Sequence, residues 1–132
     1  MSRVPVEPDG VAPPGGHYSH GVVAAQGTTI YAAGQVALDE NGALVGAGDV
    51  AAQARQVLVN LRRVLEAAGA TLDDVVKTTV YLTDLDFRGP VNEARSEAFT
   101  APPPANTLTV VSGLARPEFL VEIEAVAVIP SG

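Results

Sequence analysis

At 132 residues the chain has the length of one ordinary domain, enough to bury a core without disulfide or metal staples. It contains no Cys, which excludes disulfides, thiolate metal sites and cysteine nucleophiles. Eight basic residues against fifteen acidic ones leave a formal charge of -7, and that balance argues against a nucleic-acid or anionic-membrane surface.

The first sixteen residues, "MSRVPVEPDGVAPPGG", are studded with Pro and Gly and are expected to be extended or partly disordered, ahead of one unit that fills the chain to residue 132. They lack the apolar run of a signal peptide, and no window is long and apolar enough to span a bilayer, so cytoplasmic residence is expected. "YSHGVVAAQ" and "TTIYAAGQVAL" read as two strands, and the intervening Gly27 suggests a hairpin. "DENGALVGAGD" is a loop with a tight turn at Asn41-Gly42.

Asp49 is a good N-cap for the clearest helix. Behind it Val50, Ala54, Val57, Leu58, Leu61, Val64, Leu65 and Ala68 recur at helical spacing, with Gln53, Gln56, Asn60, Arg63 and Glu66 on other faces and Gly69 as the stop. "VVKTTVYLTDL" follows as a strand, with Val76, Thr78, Val80 and Leu82 on one side and Lys77, Thr79 and Tyr81 on the other. A second helix is predicted over Phe87 to Phe99, broken by "PPPA". "NTLTVVSGL" and "FLVEIEAVAVI" are the last two strands. Helical crossovers between strands predict parallel pairing within a mixed sheet. Two helices cover one face of it, and the other, carrying Tyr31, Tyr81 or Val126, is expected to be buried in a homo-oligomer.

The chemistry-bearing motifs are few. "HYSH" places His17 beside His20, but without a third ligand at metal spacing these read as loop or strand-end histidines, and no metal is expected. "GPVNEARSEAF" reads as a solvated helix face with spaced ion pairs. In "VEIEAVA" the alternation puts Glu122 and Glu124 on one sheet face. They form either a solvent-exposed face or a carboxylate at a cleft able to orient or deprotonate a water.

"YSHGV", "AAGQVAL", the "DVAAQ" helix, "VVKTTVYL", "VNEARSEAF" and "GLARPEFLVEIEAVAV" together resemble the Rid family, also called YjgF or reactive-intermediate deaminases, from Tyr18 to Val128. The resemblance implies an α+β, chorismate-mutase-like fold, with two helices on one face of a mixed sheet. It also implies a homotrimer with a barrel-like centre, a small-molecule cleft at each subunit interface and no cofactor. The activity it implies is hydrolysis of enamines or imines to a keto product and ammonia. Carried over by position, Glu122 would hold the attacking water, and Tyr18, Ala33, Gly34, Asn92 and Thr107 would line the cleft. The family's substrate-clamping Arg falls at Asn106 in "Pro104-Ala105-Asn106-Thr107". A carboxamide lacks the charge and planar fork of a guanidinium, and loss of such a charge-assisted pair costs roughly 1.5–3 kcal/mol. The substrate is therefore expected to differ from a 2-iminocarboxylate, unless Arg116 or Arg88 supplies a compensating cation. A non-catalytic metabolite-binding or scaffold trimer is the alternative, and an endoribonuclease ranks last on charge.

Overall fold

A computed structural model describes residues 3–132, so the first two residues of the expected extended segment lie outside the described residues. Eight elements run in chain order: β1 (Arg3–Val6), β2 (Gly21–Ala24), β3 (Gly27–Gln35), α1 (Val50–Ala67), β4 (Val75–Leu82), α2 (Arg88–Ala98), β5 (Ala105–Val110) and β6 (Val121–Pro130). The main sheet has the order β3-β6-β4-β5. Strands β4 and β5 are parallel, and β6 runs antiparallel to both β3 and β4. The result is the expected α+β arrangement of two helices against a mixed sheet. No helix among the described residues is long and apolar enough to cross a membrane.

The expected hairpin between the first two predicted strands does not form. β2 instead pairs antiparallel with β1, from Arg3 opposite Ala24 to Val6 opposite Gly21. β3 gives its ladder to β6, with Gly27 so close to the Ile129 carbonyl that any Cβ there would collide. The N-terminal strand is held by a side chain that composition does not flag. Arg3 is buried, and its guanidinium donates to the carbonyls of Leu72, Asp73, Val75, Thr100 and Pro102 at 2.6–3.2 Å. Burial lowers its pKa, against an opposing pull from Asp73 and Asp74.

Helix α1 begins where Asp49 Oδ1 accepts the Ala52 amide at 3.1 Å and ends at Gly69, whose φ of 84° suits a residue without a Cβ. Its buried stripe is Ala54, Val57, Leu58, Leu61 and Leu65, each large aliphatic contributing about 1.5–3 kcal/mol by leaving water. Val64 and Ala68, expected on that stripe, stand exposed, whereas Gln53, expected on another face, is buried. The reason is a local polar closure. Gln53 donates to the carbonyls of Gly46 and Glu118 and accepts the Leu120 amide, tying the helix to the approach of β6.

A register shift between Val75 and Lys77 alters the alternation predicted for β4. Val75, Thr78, Val80 and Leu82 are buried on the helix side, while Val76 is only half-buried. The opposite face carries Lys77, Thr79 and Tyr81, next to Glu122 and Glu124 of β6 and the exposed Tyr31 of β3. Tyr31 keeps 81% of its surface, a large aromatic without cover in one copy of the chain.

Candidate active site

A cavity of about 540 Å³ opens where the N-terminal loop, the first turns of α2 and strand β5 meet; Gly15, Gly16, Tyr18, Arg88, Asn92, Asn106 and Leu108 line it. Tyr18 is placed there by its neighbours. His17 Nε2 donates to the Phe99 carbonyl at 2.7 Å, Ser19 Oγ donates to the Pro103 carbonyl at 2.6 Å, and the Ser19 amide donates to the Pro104 carbonyl at 3.1 Å. The loop is thus stitched to the proline-rich approach of β5 on both sides of Tyr18. That leaves the phenol free to reach back to the Gly15 amide at 3.4 Å and pack edge-on against His20. His17 and His20 bond backbone carbonyls, and among the described residues no three His, Asp or Glu side chains gather as a metal site.

Asn92 and Arg88 come from one face of α2, four residues apart, which sets both over the cavity. Asn106 lies on β5 opposite Thr78 of the parallel neighbour β4. Thr78 Oγ1 donates to Asn106 Oδ1 at 2.7 Å, and Arg95 Nη2 donates to Thr78 Oγ1 at 3.2 Å. Arg95 also donates to the His17 carbonyl at 3.2 Å and stands over the Phe99 ring at 5.8 Å. It is 1% exposed, its Nε has no partner, and among the described residues no carboxylate pairs with it. Burial pulls its pKa down to about 10, so it remains a cation at neutral pH.

The solvated face expected for "GPVNEARSEAF" is therefore corrected at Arg95. Val91 and Arg95 of α2 and Phe99 just beyond its end are spaced four apart and are all buried. That spacing is visible in the sequence and is the signal that reveals Arg95. Thr78 carries no such mark, since its importance comes from the register of two strands far apart in the chain.

The remaining candidates lie elsewhere. Glu122 lies on the opposite face of the sheet from Asn106 and does not line the cavity, and Gly34 packs directly beneath it. A Cβ built on Gly34 would sit 2.5 Å from Glu122 Oε2. Ala33 is exposed on that same open side, in a hollow of about 420 Å³ with Tyr31, Lys77, Thr79 and Glu124. Thr107 also faces this side and accepts from Lys77 Nζ at 2.7 Å. Glu124 accepts the Tyr81 hydroxyl at 2.7 Å, and this bond is the main reason the Tyr81 pKa is raised. Arg116 stands on the loop before β6, 3.9 Å from Glu118 and 5.3 Å over the Phe119 ring, away from the cavity; Arg88 does line it.

One copy of the chain thus presents a polar cavity on the helix side of the sheet and, on the open side, a carboxylate against a glycine. The first can bind and orient a small polar molecule, and the second can hold a water.

The family model described as Endoribonuclease L-PSP matches residues 10–129. A RutC family protein of Pyrococcus horikoshii is 41% identical over 114 residues, 86% of this chain and 88% of its own. The 2-iminobutanoate/2-iminopropanoate deaminase of Mus musculus is 44% identical over 100 residues, covering 76% of this chain and 73% of its own. Among solved structures, the Rid family protein YyfB of Yersinia pestis is 39% identical with a TM-score of 0.89, over 98% of this chain and 100% of that one. The matched family model spans nearly all of the sequence, and the Rid family protein YyfB shares the fold over almost the whole chain, so the chain belongs to the Rid (YjgF) family.

Proposed function

We propose that this protein is a hydrolase of small enamine or imine metabolites, working as a homotrimer whose sites lie between copies. The observation that carries the reading is the division of the candidate residues between two faces of one sheet. Tyr18, Asn92 and Asn106 line one half-site, and Glu122 with Gly34 forms the other. An interface that lays the open face of one copy against the cavity of the next would complete the site and cover Tyr31 as well. The murine relative's name, an iminobutanoate and iminopropanoate deaminase, supports the same class of reaction.

The chemistry asks little of the protein. An enamine first tautomerises to its imine. Water held by Glu122 then adds through oxygen to the imine carbon as the carboxylate takes the proton that the water loses and passes it on to the nitrogen, whose lone pair comes from the broken C=N π bond. The carbinolamine collapses to a carbonyl and expels ammonia, so one imine and one water give one carbonyl compound and one ammonia. Asn106 stands where a permanent charge would clamp a carboxylate, so the preferred substrate differs from the simple 2-iminocarboxylates unless Arg88, which lines the same cavity, supplies that charge. The family description names an endoribonuclease, but with a net charge of -7 the chain offers no basic stripe for a phosphate backbone.

The test couples the protein to a pyridoxal-phosphate-dependent Ser/Thr dehydratase and to a panel of other imine-generating enzymes, following ammonia and carbonyl release. Acceleration over buffer that is lost in Glu122→Gln supports the reading. Absence of acceleration with every imine, alongside an active Asn106→Arg variant on 2-iminocarboxylates, would show that the native cleft has left this chemistry.

A further inference from the structure

The geometry points to Arg95 and Thr78 as positioning residues that lock Asn106 with its NH2 group toward the cavity, making that cavity a receptor for a carbonyl or carboxylate oxygen. A guanidinium can only donate, so Thr78 Oγ1 accepts from Arg95 Nη2. Thr78 is completely buried, and Asn106 Oδ1 is where its own proton goes. With the amide turned the other way, two donors would meet one hydroxyl and leave its buried proton without an acceptor. The relay from Arg95 through Thr78 to Asn106 therefore has one direction and one amide orientation.

The NH2 group of Asn106 makes no hydrogen bond within the described residues and is not a buried unpartnered atom, so it opens to the cavity that the residue lines. Behind it stands a buried cation that no carboxylate among the described residues pairs with. A hydroxyl that accepts from a cation is a better donor, and an amide whose oxygen is so engaged is in turn a better donor at nitrogen. The positive charge missing at position 106 is thus present two residues deeper, at Arg95 behind Thr78, and it reaches the cavity through two hydrogen bonds. The same guanidinium holds the His17 carbonyl and so the loop that carries Tyr18. One buried side chain organises two walls of the site.

This inference deepens the proposed reading of the cavity, and binding rather than turnover tests it, so the two can fail separately. The intact protein, labelled with ¹⁵N on its Asn side chains, is titrated with pyruvate and with pyruvamide while the Asn106 NH2 signals are followed. In the wild type these signals shift with saturation. A preference for pyruvate assigns the subsite to a carboxylate, and a preference for pyruvamide assigns it to a neutral carbonyl. Thr78→Val keeps the shape and removes the hydroxyl, and it is expected to weaken binding about tenfold. Thr78→Ser keeps the hydroxyl and trims the core, and it is expected to bind as the wild type does even if it is less stable. Arg95→Met is expected to weaken binding at least as much as Thr78→Val. Unmoved Asn106 signals with both probes, or Thr78→Val binding as tightly as Thr78→Ser, would overturn the inference. Binding that follows this pattern in a protein that hydrolyses no imine would leave the inference standing and remove only the hydrolase reading.

Discussion

Arg95→Met separates a side chain kept for its charge from one kept for its packing. At neutral pH the folded protein carries a buried guanidinium whose pKa has been drawn down to about 10. That is well below the ordinary guanidinium range, and at about 1.4 kcal/mol per pH unit the buried charge costs the fold about 3 kcal/mol. Methionine removes that burden and fills most of the same volume beside Phe99. Against the gain stand two lost hydrogen bonds, to the His17 carbonyl and the Thr78 hydroxyl, each worth about 1.5–3 kcal/mol with a charged donor. The two bonds outweigh the gain by about 0–3 kcal/mol, so Arg95→Met should lower the unfolding free energy by less than about 3 kcal/mol. Arg95→Ala leaves a void as well and should cost about 3 kcal/mol more than Arg95→Met. The assay is urea denaturation at fixed protein concentration, which keeps any contribution from assembly constant. A loss above about 4 kcal/mol for Arg95→Met would show that the guanidinium is a structural keystone and that its charge has been misread. The pH sense of the wild type follows from the lowered pKa: the unfolded chain holds this proton more tightly, so the penalty persists at every pH below about 10 and eases only above it.

Three further outcomes follow from other parts of the molecule. Gly34→Ala places a methyl group where the Glu122 carboxylate now rests, and only the end of that side chain need move. The fold should survive by circular dichroism, while turnover of a responsive imine falls by about tenfold or more, approaching the roughly 100-fold loss expected of Glu122→Gln; wild-type kcat in Gly34→Ala would disconnect Glu122 from the chemistry. Arg3→Met strips five carbonyls of their donor and should destabilise the protein by about 3–5 kcal/mol in urea, and Arg3→Lys should rescue little of it, because an ammonium cannot span those acceptors. The Tyr81 hydroxyl, held by Glu124, should ionise above the ordinary tyrosine range in an absorbance titration. Its folded pKa is raised, so the contribution to stability is whole below pH ~10 and lost as pH climbs through the folded value; Tyr81→Phe should abolish that dependence.

Most of the architecture could be read from residue order, because the signals for it are local. The Asp49 cap, the Val57, Leu58, Leu61 and Leu65 spacing and the Gly69 stop each act within a turn or two of backbone, and the alternation in Val121–Ala125 needs only the two-residue repeat of a strand. The resemblance of the surrounding motifs singled out the candidate residues, of which Tyr18, Arg88, Asn92 and Asn106 line one cavity, and it marked the carboxamide at Asn106. What could not be read is everything that depends on register between distant segments. Gln53 is buried because Glu118 and Leu120 arrive to bond it, and β1 holds because Arg3 finds carbonyls about seventy and a hundred residues away. The sheet pairs Thr78 with Asn106, and only that pairing connects a buried arginine on a helix to a carboxamide on a strand. Local rules specify which residues lie on which face. Hydrogen bonds between segments far apart in the chain specify which donor meets which acceptor, and in this protein those bonds determine what the cavity can recognise.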